Sequence, residues 1–223
     1  MKKPEIIITG DGSTSLYHPD LDETYHSRHG AVRESMHVFI DKGLHKVMED
    51  SPSQISILEI GMGTGLNVWL TLMESEQAGI PITLTTLEPF PLDKEVLQGL
   101  NYVEDHSKSD TDAFFEVHEA QWEQPVELSK YFTLIKTRKT LQEFESELSY
   151  DLVYYDAFAP AKQLEMWDLS LIQKVSTWCN PRAVFVTYCA MGQLKRDLAT
   201  AGFEVETLPG PPGKREMVRG TRR

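Results

Sequence analysis

Glu59, Gly61, Gly63, Gly65 and Asn67 fall at every second position of Glu59-Ile-Gly-Met-Gly-Thr-Gly-Leu-Asn67, and two further acids, Glu88 and Asp156, each close a run of β-favouring residues. Glycine has no Cβ, so such a turn can take positive φ and let a ligand approach the backbone, while the helix that follows presents free N–H groups. A small cofactor suits that place. A dinucleotide turn would put its third glycine three residues after the second, and the even spacing here fits a pyrophosphate poorly. An acid at a strand end about 20 to 30 residues after the turn is placed for ribose hydroxyls, the role this spacing gives Glu88. Asp156 opens Asp156-Ala-Phe-Ala-Pro160, where a carboxylate can orient an amino nitrogen and take its proton while Phe158 lies against a planar ring. Each residue also has a plain structural use: the glycines in a tight strand-to-helix turn, Asp156 as a helix cap, Phe158 in the core.

These residues need strands and helices to position them. Residues 55–60 read as a short buried strand and 66–73 as a helix. Residues 81–88, 131–135, 150–155, 183–188, 203–208 and 216–221 read as further strands, and 92–102, 141–148, 166–179 and 192–201 as helices. The basic stretch 136–140 reads as a solvated loop. Strand and helix alternate almost throughout, which predicts an α/β domain with a mostly parallel sheet and a late hairpin. Upstream, the turn signals Gly10-Asp-Gly12 and His18-Pro-Asp20 flank short apolar runs and predict a small hairpin. Val32, Met36, Phe39, Ile40, Leu44 and Val47 then form a helical stripe ending before Pro52. The expected organisation is an N-terminal hairpin and helix over 1–52 packed on a single globular unit over 53–223.

Composition narrows the classes. A chain of 223 residues with 40% hydrophobic content can bury a substantial core. No apolar run approaches the roughly 20 residues that span a bilayer, and the apolar patch after Pro4 is too short for a signal peptide, so a cytoplasmic location is the expectation. Cys179 and Cys189 sit in apolar surroundings and read as buried thiols. His18, His26, His29 and His37 have no acidic or cysteine partner at ligand spacing, so no metal is expected. A net charge of −12 opposes indiscriminate nucleic-acid binding. Lys195, Arg196, Lys214, Arg215, Arg219, Arg222 and Arg223 are left as either a local basic face or an ordinary solvated surface.

Seven stretches together carry a family resemblance. They are Asp11-Gly-Ser13 with His18-Pro19, Asp22-Glu-Thr-Tyr25 through Ser27, Glu59 to Asn67, Tyr155-Asp-Ala-Phe-Ala-Pro-Ala-Lys162, Met166-Trp167, Thr187-Tyr-Cys-Ala190 and Gly213-Lys-Arg-Glu-Met217. In this order the chain resembles the methyltransferase domain of the tRNA wobble-uridine modification enzymes. The resemblance implies a Rossmann-like class I fold that uses S-adenosylmethionine, without flavin or metal, to methylate the amine of 5-aminomethyl-(2-thio)uridine in the anticodon region of tRNA. It implies that Glu59, Gly61, Gly63, Gly65, Asn67, Glu88 and Asp156 form the cofactor site, with Asp156 also at the amine. Lys162, Lys214 and Arg215 become candidates for tRNA phosphates, and Phe158 or Trp167 for stacking on the base. Many family members carry a fused flavin-dependent half, so with its end at Arg223 this chain reads as a stand-alone methyltransferase served by a separate enzyme that installs the aminomethyl group. Lys136-Thr-Arg138 departs from the glycine and acid that relatives place near the adenine. A small amine such as a polyamine is the alternative substrate, and a dinucleotide-dependent oxidoreductase or a non-catalytic RNA-binding module the alternative classes.

Overall fold

The computed structural model describes residues 2–104 and 106–223. It opens with a small antiparallel sheet of β1 (Glu5–Ile8), β2 (Thr14–His18) and β3 (Glu23–Thr24), paired in that order. A long helical stretch follows, as α1 (Ala31–Ser35), a π-helical segment (Met36–Leu44) and α2 (His45–Met48). The predicted hairpin and helix are both present, and β3 extends the hairpin.

The main sheet is built on β4 (Ile55–Ile60), whose nearly unbroken apolar run suits a strand covered on both faces. In chain order there follow α3 (Leu66–Ala78), β5 (Ile82–Leu87), α4 (Lys94–Leu97), α5 (Lys108–Glu119), β6 (Pro125–Glu127), β7 (Phe132–Thr137) and β8 (Tyr150–Tyr155). The chain ends with α6 (Leu169–Thr177), β9 (Cys179–Thr187), α7 (Gly192–Thr200), β10 (Phe203–Pro209) and β11 (Glu216–Arg222). Spatial order is β10-β11-β9-β8-β4-β5-β7-β6. β7, β5, β4, β8 and β9 run parallel, while β6, β11 and β10 pair antiparallel at the edges. The chain moves outward from β4 through β5 to β7, then returns to β8 on the other side. This reversal opens a crevice beyond the carboxyl ends of β4 and β8.

Two apolar layers cover the sheet. Phe39, Ile40 and Leu44 of the π-helical segment join Val68 and Leu72 of α3 on one face. Leu171, Ile172 and Val175 of α6 join Leu194 and Leu198 of α7 on the other. A third cluster, in which Leu16 and Ala31 meet Trp69, Val96 and Phe114, ties the N-terminal sheet to the main body. Among the described residues no helix is long and apolar enough to cross a membrane. Cys189 is buried and Cys179 half-buried, both as free thiols, so the expectation of two buried thiols holds for Cys189 alone.

Four local expectations fail for identifiable reasons. The helix over 92–102 shrinks to α4, because Asn101 turns its side chain to tertiary work, accepting from Thr14 N–H at 2.7 Å and donating to the Gly12 carbonyl at 2.9 Å. Residues 141–148 form turns in which Leu141 and Phe144 serve as isolated core anchors. The helix over 166–179 divides into a 3₁₀ turn (Leu164–Trp167) and α6, and Cys179 already belongs to β9. The supposed solvated loop at 136–140 begins inside β7, with Lys136 completely buried. Lys136 Nζ donates to the carbonyls of Val117 at 2.9 Å and His118 at 2.7 Å, and lies 4.7 Å from the centre of the Trp122 ring. Those carbonyls end α5 and have no intrahelical donor, so the lysine caps the helix from the neighbouring strand. Burial, then Arg138, pulls its pKa down to about 8. Lys136→Met keeps the length but leaves both carbonyls without this donor, and should lower unfolding stability by about 2 kcal/mol or more in a denaturant titration. Wild-type stability would show the capping to be dispensable.

Candidate active site

β4 delivers the chain into the glycine turn. Gly61, Gly63 and Gly65 all have positive φ, at 90°, 52° and 74°. Gly61 and Gly65 are held by contact: a Cβ would stand 2.7 Å from the Asp156 carbonyl oxygen at the first and 2.7 Å from His118 Nε2 at the second. At Gly63 a Cβ would meet only the edge of the Tyr25 ring, at 3.2 Å. Glu88, just beyond β5, locks the turn from the side by accepting from Gly63 N–H and from Phe90 N–H, each at 2.9 Å. Burial raises the Glu88 pKa, and those two N–H groups oppose the rise.

A polar network lies beneath the turn. Glu59 is completely buried and accepts from the Thr86 hydroxyl at 2.6 Å, while Asn67 Nδ2 donates to Asp156 Oδ2 at 3.0 Å. Glu59 Oε1 and Asn67 Oδ1 are buried without a partner among the described residues. Desolvation pushes Glu59 up to about 7, against the pull of Thr86 and Asn67. Asp156 is raised well above the usual carboxylate range, by burial first and then by the charges of Glu34 and Glu59.

Over this floor opens a cavity of about 480 Å³, within the range of small-ligand sites. Gly61, Gly63, Glu88, Asp156 and Phe158 line it, as the sequence anticipated, whereas Glu59, Gly65 and Asn67 stand outside its lining. The side chains of Glu59 and Asn67 therefore support the turn and Asp156 from below. The remaining walls come from segments distant in sequence: Tyr25, Ser27 and Glu34 from the N-terminal part, Thr140 to Gln142 after β7, Tyr188 after β9, and Lys214 from the β10–β11 turn. The Tyr25 ring meets Phe158 edge-on at 5.0 Å between centroids.

Several expected roles change. Trp167 is 6% exposed, donates its indole N–H to the Phe158 carbonyl at 2.8 Å and packs on Tyr155, so it is a core support and cannot stack on a base. Lys214 faces the cavity, not open solvent: Nζ lies 2.7 Å from Glu34 Oε1 and 3.7 Å above the Tyr188 ring. Lys162 is half-buried with Nζ 3.5 Å from Asp22, and Arg215 is exposed. Lys195 and Arg219 pair with Glu216 and Glu206. Arg222 donates to the carbonyls of Ala201 and Gly202. Arg196, Arg215 and Arg223 are the exposed members of this late basic run, and Arg215 is the one next to Lys214 in the chain. His26 is buried against the Thr64 hydroxyl at 2.8 Å, and desolvation lowers its pKa to about 4. At the departure from the family pattern, Glu123 accepts from the Thr137 hydroxyl at 2.8 Å and Arg138 N–H at 2.7 Å, so an acid does cap that strand end. Tyr188 stood in a family motif without an assigned role, and Glu34 escaped the sequence reading. The only signal for Glu34 was an acid beside the apolar stripe of the first helix.

A glycine turn, an acid after the next strand and a carboxylate across the switch point line one crevice, the arrangement of a small-ligand site in an open α/β sheet. The profile of the family described as S-adenosyl-L-methionine-dependent methyltransferase matches residues 108–223. The chain belongs to that family. It is similar to the tRNA 5-methylaminomethyl-2-thiouridine biosynthesis bifunctional proteins MnmC of Hydrogenovibrio crunogenus, at 29% identity over 90% of this chain and 31% of that one. The MnmC of Cupriavidus necator is also 29% identical, over 98% of this chain and 34% of its own. The chain thus spans about a third of the length of these curated relatives. Among solved structures, MNMC2 from Aquifex aeolicus superposes with a TM-score of 0.81 at 24% identity, over 99% of this chain and 70% of that one. Spermidine synthase from Thermotoga maritima superposes at 0.54 with 12% identity, over 100% of this chain and 70% of that one, a likeness of fold. The site suits the family's cofactor: Gly61 and Gly63 present side-chain-free backbone to the cavity, and the Glu88 carboxylate lines it while anchored by two backbone donors.

Glu59 carries a pH signature. Between its unfolded value near 4.5 and about 7 the folded protein keeps a proton that the unfolded chain releases. The resulting stabilisation is complete in acid and disappears as pH rises through 7. Glu59→Gln mimics the protonated form, so its stability relative to wild type should grow between pH 5 and pH 8 by up to about 3 kcal/mol. Urea unfolding of both proteins at the two pH values measures this, and a constant difference would refute a protonated Glu59.

Proposed function

We propose that this chain transfers a methyl group from S-adenosylmethionine to the primary amine of 5-aminomethyl-(2-thio)uridine at the wobble position of tRNA, giving the 5-methylaminomethyl product. The observation that carries the reading is the cavity at the switch point, where the glycine turn, the Asp156 carboxylate and the paired rings of Tyr25 and Phe158 converge. The names of the curated relatives support the same substrate.

When bound, the cofactor supplies a methyl group made electrophilic by its sulfonium. The residues then have separable tasks. Glu88 accepts from the ribose hydroxyls, and the backbone at Gly61 and Gly63 carries the thioether region. Tyr25 and Phe158 hold the uracil ring and exclude water from the line of nitrogen, methyl carbon and sulfur. A primary amine arrives largely as ammonium, so one proton must leave before its lone pair can attack. Asp156 is the acceptor for that proton: Oδ2 is engaged by Asn67 Nδ2, and the raised pKa makes this carboxylate a stronger base than usual. Exposed Arg28, Arg33 and Arg215 offer local phosphate contacts on an otherwise acidic molecule. The reaction takes a nucleoside that already carries the aminomethyl group.

The acidic lining, with Glu23, Glu34, Glu88, Asp156 and Glu165, also suits a polyamine cation. Mass analysis of nucleosides after incubating the protein, S-adenosylmethionine and tRNA carrying the aminomethyl group decides the substrate. A gain of one methyl on that nucleoside, retained in excess chelator and absent from spermidine in parallel, is the expected result. Methylated spermidine with unchanged tRNA would overturn it. Asp156→Asn should slow single-turnover methylation by about 10²-fold, with part of the loss recovered as rising pH supplies the free amine and with S-adenosylhomocysteine affinity retained. A loss confined to cofactor affinity would move Asp156 to the cofactor's shell.

A further inference from the structure

Glu34 and Lys214 form an ion pair that the proposed chemistry leaves unused. Glu34 is 5% exposed, and both residues line the cavity. Glu34 Oε2 accepts from Ser27 N–H at 2.6 Å, and Oε1 accepts from Lys214 Nζ at 2.7 Å. The Lys214 ammonium also lies 3.7 Å above the centre of the Tyr188 ring, whose hydroxyl donates to the Ala157 carbonyl at 2.8 Å. Elements from both ends of the chain therefore hold the pair in one place. A half-buried ion pair of this kind contributes little net stability, because desolvating the charges offsets their attraction. A fixed pair of opposite charges on a cavity wall is instead a receptor for a ligand carrying both signs.

Its place along the strand ends says which part of the ligand that is. Strand order puts β5, with Glu88 after it, on one side of β4, and β8 and β9, with Asp156 and Tyr188 after them, on the other. A ligand with its ribose at Glu88 and its sulfur over the glycine turn extends its remaining arm toward Tyr188 and the ion pair. In S-adenosylmethionine that arm is an amino acid, a zwitterion. The competing occupant, the aminomethyl group to be methylated, is a cation on the edge of the base, and the phosphates of its nucleotide lie on the sugar backbone away from that edge.

We propose that the Glu34–Lys214 pair is the receptor for the amino-acid end of the cofactor, Lys214 taking the α-carboxylate and Glu34 the α-ammonium. This rests on the S-adenosylmethionine reading above and extends it to residues of the N-terminal part and the C-terminal hairpin. Lys214 then belongs to the cofactor, and the tRNA contact expected from the basic run passes to its neighbour Arg215.

Three thioether probes that differ only in that arm test the assignment by calorimetry: S-adenosylhomocysteine, decarboxylated S-adenosylhomocysteine, which keeps the ammonium alone, and 5′-methylthioadenosine, which lacks the amino acid. Lys214→Met should weaken S-adenosylhomocysteine by about 10- to 100-fold, the effect of losing one hydrogen bond to a charged group, and leave the other two unchanged. Glu34→Gln should weaken both ligands that keep the ammonium and leave 5′-methylthioadenosine unchanged. Retained 5′-methylthioadenosine binding also reports that each variant is folded. Wild-type affinity of both variants for S-adenosylhomocysteine would overturn the proposal, as would a loss of all three ligands in step, which would mark the pair as a structural clasp. If the wild-type protein itself failed to bind S-adenosylhomocysteine, the cofactor assignment would fall instead.

Discussion

The parallel pairing of β4 with β8, Ile57 to Ile60 against Leu152 to Tyr155, is the constraint on which the site depends. It brings two strand ends together although nearly a hundred residues of chain separate them. The approach is close enough that the Asp156 carbonyl occupies the space a side chain at residue 61 would need. Glycine there is required by a neighbouring strand as much as by any ligand. Shifting β8 by one residue along β4 would turn its side chains to the opposite face and withdraw Asp156 from the crevice.

A second constraint joins the ends of the chain. The His29 ring packs directly against Gly213, leaving no room for a side chain there, and His37 Nε2 lies 2.8 Å from the Pro209 carbonyl oxygen. Arg219 reaches the Lys42 carbonyl at 3.4 Å, and Glu34 pairs with Lys214 at 2.7 Å. These contacts fold the N-terminal part and the last hairpin against one another and form the cavity wall opposite Glu88. The N-terminal part is therefore a component of the site, contributing Tyr25, Ser27 and Glu34.

Buried polar groups do different work at different depths. Lys136 satisfies helix-end carbonyls that would otherwise lack protein donors, a local task that any long donor on β7 could attempt. Glu59, Asn67 and Asp156 are coupled through short contacts in a region shut off from solvent, where a single proton alters the balance of charge under the glycine turn. Glu59 and Asn67 in this way hold the turn and Asp156, which line the cavity, without lining it themselves.

The sequence by itself determined the strands, the evenly spaced glycines and the acids at 88 and 156, because each depends on local pattern: apolar runs form buried strands, and a turn tight enough to precede α3 requires glycine. It also carried the family resemblance through short motifs in order. Tertiary structure decided where side chains point. The same basic composition became a helix cap at Lys136, a cavity wall at Lys214 and an exposed charge at Arg215, and two aromatic residues of similar appearance became a core support at Trp167 and a cavity face at Phe158. Glu34 drew no notice until Lys214, 180 positions later, was folded against it. Pattern along a chain reports which residues share an element, whereas the partner that gives a charge its role is chosen by contacts between elements, and those exist only once the sheet has closed its crevice.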